Sequence, residues 1–361
     1  MPNSGAILGR AARWFLDSGI QSPDGGVARY YYSDRERNAG VSTEITGYAI
    51  SFLVYAYERT AKSEYLEAAV RSARFLVREA WNPALKLFPF EYPVTPDVCP
   101  LAYFFDSGIV IRGLLAAWQV TGEGEFLDVS TAAGHGMLQH FPGPDGPHPI
   151  LHLPDCQPME YHAQWSAAPG CYQLKAAMAW QDLFEVTGLP EFHAAYEAEV
   201  ERAMATHGTF LPGASMQEKV MDRLHAYAYF LEAMLPRAGR PECQEAYRTG
   251  MDRIGHYLDE ISPVFVRSDV YGQLLRARVF AAELGIAPLD EAAAEREARA
   301  AAEFQFKSDD PRLDGGFGFG LQRGQTMPFV NPVSTAFCAQ ALDMWQLHRR
   351  GAPAPRHEVL V

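Results

Sequence analysis

Acidic side chains stand at or just before the starts of four of the six long apolar segments of the sequence. Hydrolysis of a glycosidic bond needs two such groups, one that protonates the leaving oxygen and one that acts as base or nucleophile. Asp is also a favoured helix N-cap, so capping competes with catalysis at each single Asp. Glu44 is the best single candidate, because Glu caps poorly and Ser42 or Thr43 already supplies a cap. The candidates for paired-carboxylate catalysis are Glu44, Asp106, Asp222 and Asp269.

The stretch 148–172 is rich in side chains suited to proton transfer and to sugar binding. A histidine titrates near neutrality, which makes His162 a candidate acid or base. Exposed Trp and Tyr rings suit stacking on sugar faces. A zinc site at His148, His152, Cys156 and His162 is a lesser alternative, because intervening prolines prevent one helix from presenting these residues together. We expect no metal and no cofactor. The candidates for substrate binding in this stretch are Glu160, Tyr161, Trp165 and Tyr172.

A further histidine lies in the segment MDRLHAYAYFLEAM. Asp222, His225 and Tyr229 are spaced i, i+3 and i+7, so they share one face of a helix. His225 is therefore a second candidate for general acid or base catalysis. A buried histidine that only hydrogen-bonds a neighbour explains the same pattern equally well.

Two glycine-rich loops, at 22–43 and 312–332, carry aromatic and basic residues in similar order. We predict that each forms a β-hairpin that closes over a cavity. Arg29 and Arg323 are candidates to bind a substrate carboxylate in a bidentate manner, with pairing to a local Asp as the alternative. Tyr31 and Phe317 are the aromatic candidates for substrate binding in these loops.

Pairs of helices must position these candidates. Apolar periodicity gives six segments that are apolar almost all round, each preceded by an amphipathic one. A helix apolar on every side must be buried on every side, so the alternation predicts an inner and an outer layer. Long, uneven connections favour a closed ring over an open solenoid. The predicted inner helices are roughly 43–59, 106–120, 171–186, 219–235, 269–284 and 333–348, and the outer helices are roughly 5–17, 63–79, 124–140, 190–206, 241–259 and 288–303.

The repeats TGYAISFLVYAYERTAKSEYLEAA and FDSGIVIRGLLAAWQVTGEGEFL resemble the helical hairpins of the six-hairpin glycosidase-like group of bacterial carbohydrate-active proteins. That group has the (α/α)6 toroid fold and also includes lyases and epimerases. The resemblance covers most of the chain and is a signature of fold, not of one reaction. It implies an all-α (α/α)6 toroid with short β-hairpin loops on one face. We predict one toroid domain over 1–349 and a loosely held C-terminal tail over 350–361.

The resemblance and the carboxylates together predict a carbohydrate-active enzyme. The leading hypothesis is a glycoside hydrolase that acts on an oligosaccharide or sugar conjugate. One alternative is a sugar epimerase or polysaccharide lyase that uses His162 or His225 with a tyrosine. Another is a non-catalytic glycan-binding or scaffold protein.

Composition limits the classes of partner. The 361 residues include 31 Lys+Arg and 44 Asp+Glu, which give a formal charge of −13. This acidity argues against nucleic acid and against an anionic membrane surface. The sequence lacks an apolar run of the roughly 20 residues that span a bilayer, and its start does not resemble a signal peptide. With five scattered cysteines and no disulfide framework, we expect a cytoplasmic protein; its oligomeric state is not predicted.

Overall fold

The computed structural model of the chain describes residues 4–95, 99–162, 164–353, 355 and 359–361. In these residues the chain forms twelve α-helices and eleven short strands. The helices are α1 (Ser4–Asp17), α2 (Thr43–Thr60), α3 (Ser63–Phe75), α4 (Phe104–Thr121), α5 (Gly124–His140), α6 (Leu174–Thr187), α7 (Pro190–Phe210), α8 (Gln217–Ala233), α9 (Pro241–Ile261), α10 (Ser268–Glu283), α11 (Glu291–Glu303) and α12 (Pro332–Arg349). The strands are β1 (Tyr31–Tyr32), β2 (Arg37–Asn38), β3 (Val41–Ser42), β4 (Glu91–Tyr92), β5 (Leu101–Tyr103), β6 (Ile150–His152), β7 (Gln157–Pro158), β8 (Phe265–Arg267), β9 (Gly320–Gln322), β10 (Gln325–Thr326) and β11 (Phe329–Val330).

The predicted alternation of helices is confirmed. The even-numbered helices coincide with the six predicted inner segments and the odd-numbered helices with the six predicted outer ones. All residues of α4 from 106 to 115 are buried, as its apolar sequence requires. By contrast, α3 buries one face, through Tyr65, Ala68 and Ala69, and leaves the other face to solvent.

The helix ends follow local sequence signals. Gly122 and Gly188 end α4 and α6 in the left-handed region, with φ of +71° and +72°, a conformation that glycine adopts without steric cost. The sixth outer helix begins at Glu291, later than predicted, because the side chain of Asp290 caps it by accepting the backbone N–H of Ala293 at 2.9 Å. The third inner helix begins at Leu174 after a 3₁₀ turn at Cys171–Gln173.

The chain divides into two compact units. The first unit contains the described residues of 4–20, 30–38 and 207–361, and the second contains those of 21–29 and 39–206. The prediction of one domain over 1–349 stays a prediction. In the second unit, β3 pairs with β4, and β5, β6 and β7 form an antiparallel sheet. In the first unit, β1 and β2 form one predicted hairpin, which β11 extends, and β9 and β10 form the other, beside β8.

The described end of the C-terminal tail is held rather than loose. Leu360 and Val361 are only 2% and 1% exposed. The Gln340 side chain donates to the Val359 carbonyl at 2.8 Å and accepts the Val361 N–H at 3.2 Å. Residues 354 and 356–358 of the tail lie outside the described residues.

Among the described residues, no helix is both long and apolar enough to cross a membrane. The predicted cytoplasmic location stays a prediction.

Glycines allow α4 of the second unit to pack closely against α2 and α6, a few residues beyond Glu44 and Asp106. A Cβ at Gly47 of α2 would lie 2.9 Å from the carbonyl oxygen of Ile109 in α4. A Cβ at Gly113 would lie 2.5 Å from the Gly47 carbonyl, and one at Gly108 would lie 2.4 Å from the Ala176 carbonyl in α6. Real Cβ atoms do not fit at such distances, so α4 packs against α2 and α6 only because these positions lack side chains.

We expect Gly108→Ala to destabilise the protein by about 1–3 kcal/mol, because the added methyl group forces α4 away from α6. The matched control is Gly124→Ala at the start of α5, where a Cβ would meet no atom of the described residues within 4 Å. The control should change stability by less than about 0.5 kcal/mol. Urea denaturation of both variants measures the difference, and equal stability of the two would contradict the packing described here.

Candidate active site

A strand and a cap place Glu44 in the first turn of α2. The chain enters α2 from β3, and the Ser42 side chain accepts the N–H of Ile45 at 3.4 Å as the N-cap. The Thr43 hydroxyl donates to the Pro89 carbonyl at 2.8 Å and anchors the turn. Ser42 therefore provides the cap, as the sequence suggested, and the Glu44 carboxylate has no capping role.

Asp106 lies in the first turn of α4, which the chain enters from β5. The N-cap position is Tyr103, so capping does not explain Asp106. Asp106 is 5% exposed, and its Oδ2 atom is buried with no hydrogen-bond partner among the described residues. Because a buried polar atom without a partner costs free energy, this arrangement needs an explanation other than stability.

The two carboxyl groups share one electrostatic environment. Burial raises the pKa of Glu44 to about 7, although the nearby Arg29 cation opposes the increase. Burial also raises the pKa of Asp106 well above its ordinary value; the charge of Glu44 adds to this, and Arg29 offsets part of it. Loss of water disfavours the charged form of each group, and two neighbouring negative charges disfavour each other. Both groups therefore bind a proton more tightly than an exposed carboxyl group does.

Arg29 is held beside this pair by groups of the second unit. Its Nη2 atom lies 3.4 Å from Oε1 of Glu91, and its guanidinium lies 5.2 Å from the centre of the Phe90 ring. The sequence left open whether Arg29 pairs with a substrate or with a local acid; the structure shows a local acid, Glu91. The Arg29 side chain is still 33% exposed, so one side of it faces solvent.

Aromatic rings surround the carboxyl groups in the second unit. Tyr103 lies 4.9 Å from Phe90, and Tyr172 lies 6.2 Å from Phe105 and 4.9 Å from Trp165 between ring centres. Burial and the charge of Asp106 raise the pKa of Tyr103 to about 12. Tyr172 is buried, and its hydroxyl donates to the Ala168 carbonyl at 3.1 Å. The rings of Phe90, Tyr103, Phe105 and Trp165 are partly exposed, and such rings suit the apolar face of a sugar.

The stretch 148–172 separates into packed and exposed residues. The hydroxyl of Tyr161 lies 2.8 Å from Nδ1 of His148, whereas Glu160 and His162 are exposed. His152 contacts the Cys99 thiol, with 3.5 Å between Nδ1 and Sγ. Across the described residues, no group of three or more His, Cys, Asp or Glu side chains could hold a metal ion.

The other two candidate carboxylates lie in the first unit beside an arginine. Arg267 donates to both oxygens of Asp269, at 3.0 and 2.7 Å, and to Asp222 at 3.0 Å. Burial alone would raise the pKa of Asp269, but the Arg267 guanidinium outweighs it and holds that pKa below its ordinary value. Asp269 is fully buried and has a lowered pKa, so it differs from the two carboxyl groups of the second unit, whose pKa values are raised.

The structure fixes the tautomer of His225. Its Nδ1 atom lies 2.8 Å from Oε1 of Gln273 and 3.6 Å from Oδ2 of Asp269. Both partners are acceptors, so Nδ1 carries the proton and Nε2 carries the lone pair. Burial and the Arg267 cation lower the pKa of His225 to about 4, which keeps the ring neutral at pH 7.

Three of the loop residues predicted to bind substrate, Tyr31, Phe317 and Arg323, lie in the first unit. Tyr31 is 4% exposed and lies under the Arg312 guanidinium, 5.5 Å from the ring centre. Phe317 is fully buried, and its backbone N–H donates to Thr335 at 2.9 Å. Arg323 occupies the turn of the β9–β10 hairpin with φ of +49°. Core packing explains the first two, and the turn explains the third.

Several residues beside the Glu44–Asp106 pair and beside Asp269 and His225 were not predicted from the sequence. Glu91 and Phe90 come from β4 and the residue before it, which pair with the entry to α2 only in the folded chain. Arg267 stands two residues before Asp269, a spacing that suggests a local ion pair once the backbone is extended there. Gln273 gave no signal in the sequence.

Comparison with known proteins supports the fold. No family model and no curated protein matches the sequence. Among solved structures, a sugar epimerase from a ruminal bacterium has a TM-score of 0.69 and 10% identity, over 93% of this chain and 95% of that one. Cellobiose 2-epimerase from Bacillus thermoamylovorans has a TM-score of 0.68 and 11% identity, over 91% and 95%. Unsaturated glucuronyl hydrolase from Bacillus sp. has a TM-score of 0.67 and 14% identity, over 98% of each chain.

These similarities show the (α/α)6 toroid fold of the glycosidase-like group, and the predicted resemblance in fold is confirmed. At this identity they carry no residue of one protein onto another, and they assign no role to Glu44, Asp106 or His225.

The raised pKa of Glu44 makes stability depend on pH in a defined direction. The pKa of Glu44 is raised from its ordinary value of 4.5 to about 7 in the folded state. Ionisation of Glu44 therefore destabilises the folded state as the pH rises through this range. We expect Glu44→Gln to be more stable than the parent protein by about 1–3 kcal/mol at pH 8, and nearly equal at pH 4. Urea denaturation at both pH values measures this.

The control for this prediction is Glu67→Gln, on the exposed side of α3. It should show less than about 0.5 kcal/mol of difference at either pH. A Glu44→Gln variant that is no more stable at pH 8 than at pH 4, relative to the parent, would contradict the raised pKa of Glu44.

Proposed function

We propose that the protein is a carbohydrate-active enzyme and that the second unit hydrolyses a glycosidic bond with Glu44 and Asp106. The observation that carries the proposal is the pair of electrostatically coupled carboxyl groups with raised pKa values, in which Asp106 has a buried oxygen with no hydrogen-bond partner among the described residues. A folded protein that only needed stability would have neutralised these groups, as Arg267 does for Asp269 in the first unit.

The two carboxyl groups have different tasks because their surroundings differ. Arg29 opposes the increase in both pKa values, but Asp106 is more deeply buried than Glu44 and also feels the charge of Glu44. Glu44 therefore ionises first and Asp106 keeps the proton. Environments that push two pKa values apart assign the acid and the base.

In the proposed reaction, Asp106 transfers its proton to the glycosidic oxygen as the bond from that oxygen to the anomeric carbon breaks. The bonding electron pair leaves with the oxygen. Glu44 either takes a proton from the water that attacks the anomeric carbon or attacks that carbon itself. In the second case, water later releases the sugar and Asp106 regains its proton. The anomeric configuration of the product distinguishes the two routes.

The surroundings of the pair fit a sugar substrate. The partly exposed rings of Phe90, Tyr103 and Phe105 offer stacking surfaces, and the half-exposed Arg29 offers donors to hydroxyl or carboxylate oxygens. A sugar epimerase and an unsaturated glucuronyl hydrolase share the fold. Both act on carbohydrate, as their names state, which supports the substrate class but not the reaction.

Hydrolysis predicts that both carboxyl groups are needed. In a screen of defined oligosaccharides with product analysis, Glu44→Gln and Asp106→Asn should each lower the rate by at least about 100-fold, because each removes a proton-transfer or nucleophilic group. The control is Glu58→Gln, which changes a carboxylate near the other end of α2 and should keep the parent rate. Parent rates in both site variants, or no cleavage of any oligosaccharide by the parent, would overturn the proposal.

A second candidate function is sugar epimerisation or isomerisation in the first unit, with His225 as the base. The observation in its favour is the neutral imidazole whose Nδ1–H is held by Gln273, which leaves the Nε2 lone pair for a proton next to a sugar carbonyl. Tyr229 contacts this ring edge-on at 4.5 Å between centres.

Solvent deuterium separates the two candidate functions. Proton abstraction from carbon followed by return of a proton places deuterium on a sugar carbon in D₂O, whereas glycoside hydrolysis places none there. If His225 is the base, the parent protein should incorporate deuterium, His225→Asn should not, and His256→Asn on the exposed surface of α9 should behave as the parent. Absence of carbon-bound deuterium with every sugar tested would exclude this candidate function.

A further inference from the structure

A cavity of about 240 Å³ lies in the second unit, beside the stretch 148–172 and the outer helix α7. Six of its ten lining residues carry polar or charged side chains, and they come from separate parts of the chain. The side chains that matter here are Asp145, Tyr161, Gln173, Glu199, Arg202 and Thr206.

A charged pair on α7 forms one wall of this cavity. Arg202 donates to Glu199 at 2.7 Å, and the two side chains are 44% and 6% exposed. Burial raises the pKa of Glu199 to about 7, although Arg202 opposes the increase. The pair thus presents an ordered carboxyl group and a planar guanidinium side by side. Neighbouring hydroxyl groups of a sugar fit such an array, since they both donate and accept hydrogen bonds.

An exposed aromatic ring forms a second wall. Tyr161 is 41% exposed, which makes it one of few large hydrophobic residues with that exposure in the described chain. Its hydroxyl is fixed by His148 at 2.8 Å, and the two rings lie 5.8 Å apart between centres. A ring that is held in place but open to solvent loses little entropy when a sugar face stacks on it.

A short turn connects this cavity with the carboxyl pair. The Gln173 side chain accepts the Gly170 N–H at 3.0 Å and donates to the Pro147 carbonyl at 2.8 Å, which fixes the turn at the cavity wall. The neighbouring Tyr172 is close enough to Asp106 for that carboxylate to contribute to the raised pKa of the Tyr172 phenol, after burial and Cys171. The cavity and the candidate active site therefore lie on two sides of one turn.

We propose that this cavity is a second sugar-binding subsite, which holds a unit of an oligosaccharide remote from the bond that is cleaved. The inference rests on the proposed hydrolysis at Glu44 and Asp106. We expect a neutral, hydroxyl-rich ligand rather than an anion, because Arg202, the cation among the lining residues, is already paired with Glu199, and Asp145 adds a further carboxylate. Long substrates use both sites, and short substrates use only the carboxyl pair.

Binding to an inactive background tests the subsite directly. In Asp106→Asn protein, calorimetric titration with linear gluco-, manno- and glucurono-oligosaccharides of two to six units gives affinity against length. Adding Tyr161→Ala should lower the affinity for the longest oligosaccharides by about 3- to 10-fold and leave the affinity for disaccharides unchanged. Arg202→Ala should lower the affinity for the longest oligosaccharides by about 10-fold or more, and Arg202→Lys should restore only part of that affinity. The control is Arg74→Ala, which breaks a similar exposed pair with Glu123.

Steady-state rates with otherwise unchanged protein separate this inference from the proposed function. Tyr161→Ala and Arg202→Ala should raise KM for long substrates without lowering kcat, and should leave the cleavage of short substrates unchanged. Equal effects at every length, or no effect at any length, would overturn the subsite while cleavage by the parent upheld the proposed function. A parent that neither binds nor cleaves any member of the panel would overturn both.

Discussion

Two neighbouring carboxyl groups that lose water on folding disfavour each other's charge, and the candidate active site depends on that constraint. Glu44 is partly buried and Asp106 is buried at the starts of α2 and α4. Loss of water raises both pKa values, and the charge of Glu44 raises that of Asp106 further. A buried oxygen of Asp106 has no hydrogen-bond partner in the described chain. Proteins tolerate such unfavourable groups mainly where chemistry uses them, so the cost in stability indicates a functional role.

Local structure keeps this unfavourable pair together. Ser42 caps α2, so that Glu44 is not drawn into capping. The glycines at 47, 108 and 113 allow α4 to pack tightly against its neighbours immediately beyond the carboxyl groups. The first unit shows the opposite solution, because Arg267 binds both oxygens of Asp269 and lowers its pKa. A charge neutralised in this way stabilises a fold but supplies no proton, whereas the neutral His225 beside it retains a basic nitrogen.

The helices could be predicted because a helix buried on all sides is apolar in almost every position, and because Gly122 and Gly188 mark two helix ends. Glu44 and Asp106 could be selected because each opens an apolar helix. The sequence did not show which acids would acquire a cation, since the contacts of Arg267 with Asp222 and of Arg29 with Glu91 join residues 45 and more apart. The sequence also did not show that Tyr31 and Phe317 are buried. An aromatic residue in a glycine-rich loop has the same sequence context whether its ring is buried or exposed.

A carbon-13 NMR titration of the side-chain carboxyl groups, assigned with Glu44→Gln and Asp106→Asn, tests the coupled carboxyl pair most directly. We expect Glu44 to titrate with a pKa near 7 and the pKa of Asp106 to lie well above its ordinary value of 3.8. Removal of Glu44 should lower the pKa of Asp106, since one charge then no longer opposes the other. Two carboxyl groups that titrate independently at their ordinary pKa values would contradict the coupled pair.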